Sequence, residues 1–358
     1  MENDYGDWLA EYKSLRESAG VLDLSERSRI CLVGNDRIRF LHGQVTNDVK
    51  KLRIGEGRYA AIVTAKGKME SDVNIFNLEN EVLLDFEPGL TEKISARLEK
   101  FIVADDVQIV DAAPHYNLLS VQGPKAEEII RSLNLFPQIP AKQFDSIKIS
   151  NATFGEIYLA KDCRLWWGET PSSPNQKKSG LERLSPHQNC GFDLFVPKNS
   201  FDAFAEKLTS AAKKFGARKC GGQAFETVRV ENGIPRFGAD MDETNIPLEC
   251  GIESRAVSYS KGCYIGQEVI NRIHSIGHVN KELRGLRLAD DLKNLPVKGD
   301  KLFRDGKEVG YITGAVKSPT FGNIALGYIR REANQIGTEL ILKTAASENA
   351  AKIVRLPF

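Results

Sequence analysis

The run KLFRDGKEVGYITGAVKSPTFGNIALGYI, from Lys301 to Ile329, decides how the last part of the chain folds. Short β-rich stretches alternate in it with turn signals. Asp305-Gly306, between Phe303 and Val309, has the composition of a hairpin turn, because both residue types tolerate the positive φ that tight hairpins demand. Working outward, LRGLRL from Leu283 and TELILK from Thr338 repeat the pattern. About 75 residues with this spacing predict a small antiparallel barrel. The shift in composition near residue 280 sets a boundary, giving units 1–280 and 281–358.

The longer unit mixes helices and strands. Trp8, Leu9, Tyr12 and Leu15 follow helical spacing. Arg29 to Val33 reads as a strand, and Asn35 or Asp36 can cap a helix holding Ile38, Phe40 and Leu41. Tyr59 to Thr64 and Val73 to Leu78 read as strands joined by the loop Ala65-Lys66-Gly67-Lys68. Ser200 is expected to cap an amphipathic helix that begins at Phe201 and stops at Gly216. Trp166 to Asn189 reads as an inserted loop. Its Trp166 and Trp167 form a candidate docking surface, although such a pair more often packs under its own loop.

The chain has 358 residues, and Lys+Arg 49 against Asp+Glu 48 leaves a net charge of +1. That length suggests about two domains. The charge balance argues against nucleic-acid binding through bulk positive charge. No apolar run approaches the roughly 20 residues of a membrane helix. The start, MENDYGDWLAEYK, has neither signal nor transit character, so a cytoplasmic protein is expected, with no membrane and no nucleic acid among its partners. The six cysteines contain no C-x-x-C pair. They make neither a disulfide framework nor a self-contained metal pattern, so no metal site is expected.

Gly55-Glu56-Gly57-Arg58-Tyr59-Ala60 matches a loose G-x-G-x-x-A, but the residues that follow are strand-like, and a dinucleotide site needs a helix there. His274 and His278 stand four apart with Gly277 between them, and they have no evident partner ligand. Two segments are more informative. In Val228-Arg229-Val230-Glu231-Asn232-Gly233, the carboxylate of Glu231 is an acceptor that suits a ligand presenting two parallel N–H donors. An ordinary surface ion pair of Arg229 with Glu231 is the commoner reading of such residues. In Lys261-Gly262-Cys263-Tyr264-Ile265-Gly266-Gln267-Glu268, Cys263 falls at or just before a helix N-terminus and close to Lys261. Both features favour thiolate. A small buried thiol fits equally well.

These segments, with GVLDLSERSRICLVGNDRIRFLHGQVTNDV (Gly20 to Val49), TAKGKMESD (Thr64 to Asp72), LLSVQGPKA (Leu118 to Ala126), GFDLFVP (Gly191 to Pro197) and VRVENGIPRFGADMDETNIPLE (Val228 to Glu249), make the chain similar to the glycine-cleavage T-protein (aminomethyltransferase) superfamily. KGCYIGQE more closely resembles the YgfZ branch of folate-binding proteins. The resemblance implies an α+β, T-protein-like ring of subdomains around a central folate cavity, with a C-terminal antiparallel β-barrel. It implies tetrahydrofolate or another reduced folate as cofactor, with Glu231 on the pterin beside Arg229. It also implies Asp72 at the second position of a G-G-x-x-D-D-type loop whose first Asp falls on Ser71. Lys66 and Lys68 are candidates for the folate glutamate tail, on charge alone.

Serine cannot stand in for an ionised acid or base. The resemblance therefore favours an accessory role in assembling or repairing iron–sulfur clusters of client enzymes, including tRNA-modifying radical enzymes, over catalytic turnover. In that role the partners are iron–sulfur client or assembly proteins. Cys263 acts there as nucleophile, transient cluster ligand or redox thiol, with Lys261 beside it. A folate-dependent aminomethyl or one-carbon transferase is the alternative, and a docking module with a vestigial cavity is a third reading.

Overall fold

The computed structural model describes residues 1–165, 190–345 and 347–358. The inserted loop expected from Trp166 to Asn189, with its tryptophan pair, lies outside the described residues.

Two sheets and a barrel carry the fold. One sheet has six strands in the order Arg218–Lys219, Gly20–Asp23, Tyr116–Gly123, Cys190–Pro197, Gly155–Lys161 and Ser146–Asn151. Its first pair is parallel and the others are antiparallel. The second sheet has five antiparallel strands, ordered Gly57–Val63, Met69–Asn77, Glu81–Phe86, Ser28–Val33 and Gln108–Asp111. The GEGRYA stretch thus leads into a strand, as its residues suggested.

Strand alternation divides the core. On the first sheet, Val121, Phe192 and Leu194 pack under the helices Ala126–Ser132 and Phe201–Lys213. The intervening Leu118 and Phe195 point to the opposite face. On the second sheet, Ala60, Ile62 and Ile75 pack with the helices Arg37–Gln44 and Thr91–Glu99. Tyr59, Ala61 and Phe76 turn the other way and share a cluster with Leu118 and Phe195. Successive side chains on a strand point to opposite faces. Each sheet therefore has an outer face under helices and an inner face turned to the other sheet. The helix Gly222–Glu231 packs into the same inner cluster through Phe225 and Val228.

The C-terminal unit is a closed six-stranded antiparallel barrel. Asp305 and Gly306 have φ of 50° and 75° and turn the chain between Lys301–Arg304 and Lys307–Ser318. Leu286, Leu302, Ile312 and Leu342 fill the interior. Two expected caps differ from the structure. Ser200 stands at the N-cap without a side-chain cap bond, and its Oγ donates instead to the carbonyls of Phe154 and Pro197. Asp36 is the N-cap of Arg37–Gln44 but also makes no cap bond; its carboxylate accepts from the Asp106 amide at 3.0 Å. Among the described residues, no helix is long and apolar enough to cross a membrane.

Leu302 is fully buried. Leu302→Ala is expected to lower stability by about 2–5 kcal/mol, read as a lower denaturant midpoint at unchanged slope.

Candidate active site

Register places the polar groups. Tyr59 pairs with Asn74 and Ala61 with Asp72. Tyr59, Asp72 and Asn74 therefore share one face, the inner one, and they border a cleft with a cavity volume of about 160 Å³. The Tyr59 hydroxyl donates to Asp72 Oδ2 at 2.9 Å. Burial, with the Glu87 carboxylate nearby, pushes the Asp72 carboxyl up to about 6, against the lowering effect of the tyrosine bond. Its partial exposure opens into the cleft.

The adjacent Ser71 is fully buried, is absent from the cleft lining, and gives its hydroxyl to the Asp72 carbonyl at 2.7 Å. A serine at 71 therefore takes no acid away from the cleft. Of these two positions, it is the carboxylate at 72 that borders the cleft.

The cleft floor is a buried charge cluster. Arg164 holds Asp193 through Nε at 2.9 Å and Asp85 at 2.8 Å. Arg27 reaches Asp85 at 2.9 Å. Burial alone would raise the Asp85 carboxyl, but the two guanidinium groups outweigh it and hold it down at about 2. Asp162 accepts from Asn74 and Gln143, both at 2.9 Å. Burial, with Asp193 and Asp85 close by, raises the carboxyl of Asp162, against the pull of Arg164. The aromatic walls are Phe144 and Phe225. Arg236 also borders the cleft. Its buried Nε has no hydrogen-bond partner and lies 3.8 Å from the Glu87 carboxylate.

The structure separates several residues that the sequence grouped. Glu231 does not border the cleft. Its carboxylate, 1 % exposed, accepts from Tyr12 at 2.9 Å, from Ser318 at 2.5 Å and from Arg16 at 3.3 Å. Glu231 thus ties the helices Trp8–Glu17 and Gly222–Glu231 to the barrel. Arg229 does not pair with Glu231. Its guanidinium holds Glu226 at 2.9 Å and Asp240 at 2.6 Å, and Asp240 accepts from Thr313 of the barrel at 2.6 Å. The pair read from sequence is split because residues two apart on a helix leave it about 200° apart, on opposite sides. Arg229 lies along the cleft wall; Glu231 lies at the seam with the barrel.

Lys66 is exposed in its loop and borders no part of the cleft. Lys68 donates to the Thr244 carbonyl at 2.6 Å and lines a separate groove with Arg330 and Arg331. Lys261 is buried, and its ammonium donates to the carbonyls of His42, Val45 and Asn47 at 2.5, 2.7 and 2.9 Å. Burial lowers it to about 8. Those three bonds give it a structural task, fixing the chain after Arg37–Gln44. Cys263 is exposed, outside the cleft lining, and precedes the helix Gln267–Ile276, whose N-cap is Gly266. Among the described residues no group of three or more His, Cys, Asp or Glu side chains is placed to hold a metal.

Two sheets that meet at a carboxylate- and arginine-lined cleft, followed by a closed barrel, are the frame of a T-protein fold. The solved structure of glycine cleavage system aminomethyltransferase T from Bartonella henselae has that fold: it aligns with a TM-score of 0.81 at 20% identity, over 99% of this chain and 90% of that one. The family model for the GCVT N-terminal domain matches residues 3–162 and 181–261, and that for the glycine cleavage T-protein C-terminal barrel domain matches 281–358. The chain belongs to the glycine-cleavage T-protein family. It is similar to the protein of Bacillus subtilis (strain 168) named aminomethyltransferase, with 27% identity over 99% of this chain and 94% of that protein. It is likewise similar to the aminomethyltransferase of Geobacillus kaustophilus (strain HTA426), with 28% identity over 97% and 89%.

These relatives overturn the expected role in iron–sulfur assembly, together with its client and assembly partners and its link to tRNA modification. That expectation rested on Ser71 at the first Asp position and on the resemblance of the loop from Ala65 to Met69 and of Lys261 to Glu268 to the YgfZ branch. The cleft retains its acid at Asp72.

Arg164→Met is expected to destabilise the fold by about 3–5 kcal/mol, because it strands buried carboxylates; chemical unfolding measures it. For Asp72, the folded pKa lies above the ordinary carboxylate value, so the native state binds more protons between about pH 4 and 6 and stability falls as pH rises through that window. Asp72→Asn removes the fall. It should exceed wild type in stability at pH 8 by on the order of 1–2 kcal/mol, less than the full shift because the group meets the cleft, with the advantage vanishing near pH 4.

Proposed function

We propose that this protein is a folate-dependent aminomethyl or one-carbon transferase working in the cytoplasm, with tetrahydrofolate or another reduced folate in the central cleft. The observation that carries the reading is the Tyr59–Asp72 pair, a desolvated acid facing the cleft in a chain of the T-protein family. When bound, the folate supplies a nucleophilic ring nitrogen that accepts a one-carbon unit.

The cleft's own chemistry fits such a ligand. Asp72 offers Oδ1 as an acceptor toward a ring N–H, while Oδ2 is occupied by Tyr59. A carboxyl raised to about 6 takes and returns a proton near neutral pH, where a general acid–base works best. Phe144 and Phe225 give apolar walls for an aryl group. The Arg236 guanidinium, whose Nε makes no hydrogen bond and only a 3.8 Å ion pair with Glu87, is a donor suited to a carboxylate tail, a task expected of Lys66 and Lys68. In this reading Asp72 takes the central place expected of Glu231, and Arg229 supports the wall.

A division of the chain into units 1–280 and 281–358 belongs to the same proposal. So does a placement within the YgfZ branch, which rests on the loop from Ala65 to Met69 and on Lys261 to Glu268 and carries no separate activity.

Calorimetric titration with 5-formyltetrahydrofolate tests the site. Arg236→Ala should weaken binding about tenfold, a change of about 1.4 kcal/mol. Glu231→Gln should leave affinity within twofold. Asp72→Asn should abolish aminomethyl transfer to tetrahydrofolate while the protein stays folded. Undiminished transfer by Asp72→Asn, or affinity lost in Glu231→Gln but kept in Arg236→Ala, would overturn the assignment.

A further inference from the structure

Among the described residues, Phe144 is the aromatic residue with a positive φ. Its φ is 66°, in the left-handed region that a bulky side chain avoids. Outliers of this kind persist only where surrounding structure enforces them, and they cluster at functional sites. The enforcement is visible. The Phe144 amide donates to the Lys161 carbonyl at 2.7 Å, and its ring packs edge-on against Phe76, with centroids 6.2 Å apart. The opposing strand carries Gly57, where a Cβ would lie 2.8 Å from the Phe144 carbonyl oxygen and 3.0 Å from its Cβ. Only glycine permits that approach.

Phe144 also has an unusual position. A second chamber, bordered by Asn47, Glu56, Lys142 and Asp145, lies beside the central cleft. Tyr59, Phe144 and Arg255 border both spaces. The wall between them is therefore thin, and it stands at the end of the cleft where Tyr59 meets Asp72. Phe144 is the purely apolar member of that wall and is 8 % exposed.

We propose that Phe144 is a strained partition: its ring seals the Tyr59–Asp72 end of the cleft from the second chamber and keeps bulk water off the acid pair. Phe144 is thus a positioning residue, acting through Asp72 rather than on a ligand. The inference rests on the reading of Asp72 as the working acid of the cleft. The groups that face Asp72 are Tyr59 from the neighbouring strand, Glu87 beyond Glu81–Phe86, Arg27 from the turn before Ser28–Val33, and Cys250; Arg255 acts on Tyr59. A change at 144 removes no charge from this set, so a shift in Asp72 titration on opening the wall reports its solvation.

The test uses the full chain without ligand. The Asp72 carboxyl is followed by carbon-13 NMR against pH and assigned with Asp72→Asn, in wild type, Phe144→Leu, Phe144→Ala and Phe144→Gly. Wild type should titrate near 6, and Phe144→Leu, which keeps a bulky apolar plug, should match it. Phe144→Ala and Phe144→Gly should drop by more than one pH unit toward the ordinary carboxylate range. Phe144→Gly should also melt above Phe144→Ala, since glycine enters the left-handed region without strain. If alanine does not fold, glycine gives the same readout. An unchanged midpoint in a folded Phe144→Ala or Phe144→Gly overturns the partition. A wild-type Asp72 that titrates as an ordinary carboxylate overturns the reading of Asp72 itself, and the partition with it.

Discussion

The Arg164 guanidinium, set between Asp193 of one sheet and Asp85 of the other, is the contact on which the rest of the site depends. Two inner sheet faces meeting through apolar side chains alone would close on each other. Here the meeting point is ionic, and burying such a cluster is tolerable only because every carboxylate in it has a cationic or hydrogen-bonding partner. Arg27 adds to Asp85, and Asn74 and Gln143 satisfy Asp162. The cluster holds the sheets at a fixed separation and so gives the cleft its floor.

Asp72 then differs from Asp85 in what it lacks. Asp85 has two guanidinium groups and stays strongly acidic, whereas burial, with the Glu87 carboxylate nearby, drives Asp72 the other way against its tyrosine bond, and burial raises Asp162 as well. Carboxylates of the same cleft are thus sorted into structural and chemical kinds by their partners, a division typical of sites that move protons. Glu231 and Lys261 show the converse. Both are ionisable residues in conspicuous motifs, and both are consumed in holding elements together. Glu231 fastens two helices to the barrel, and Lys261 gathers three carbonyls at and just beyond the end of Arg37–Gln44.

The barrel was readable from Lys301 to Ile329 because its information is local. Alternating short strands and the Asp305-Gly306 turn fix their own geometry within a few residues. The helix from Phe201 and the strand after GEGRYA were readable for the same reason. The caps were not: Ser200 had a competing acceptor in the Phe154 carbonyl, supplied by a distant segment.

For the site, the sequence determined which residues were available. It supplied an aspartate at 72, the Arg229 and Glu231 neighbours, and the motifs that tie the chain to its family. Tertiary structure decided which of them act together. Whether 71 or 72 faces the cleft depends on strand register, which is set by pairing with Gly57–Val63 and by the irregularity at Ile62/Val63. A one-residue slip would exchange the serine for the aspartate. Arg164, Asp193, Asp85 and Arg236 lie far apart along the chain and carry no shared motif, so nothing local announces them. A carboxylate's protonation is set by the charges and the water around it, and those neighbours exist only once the two sheets have met.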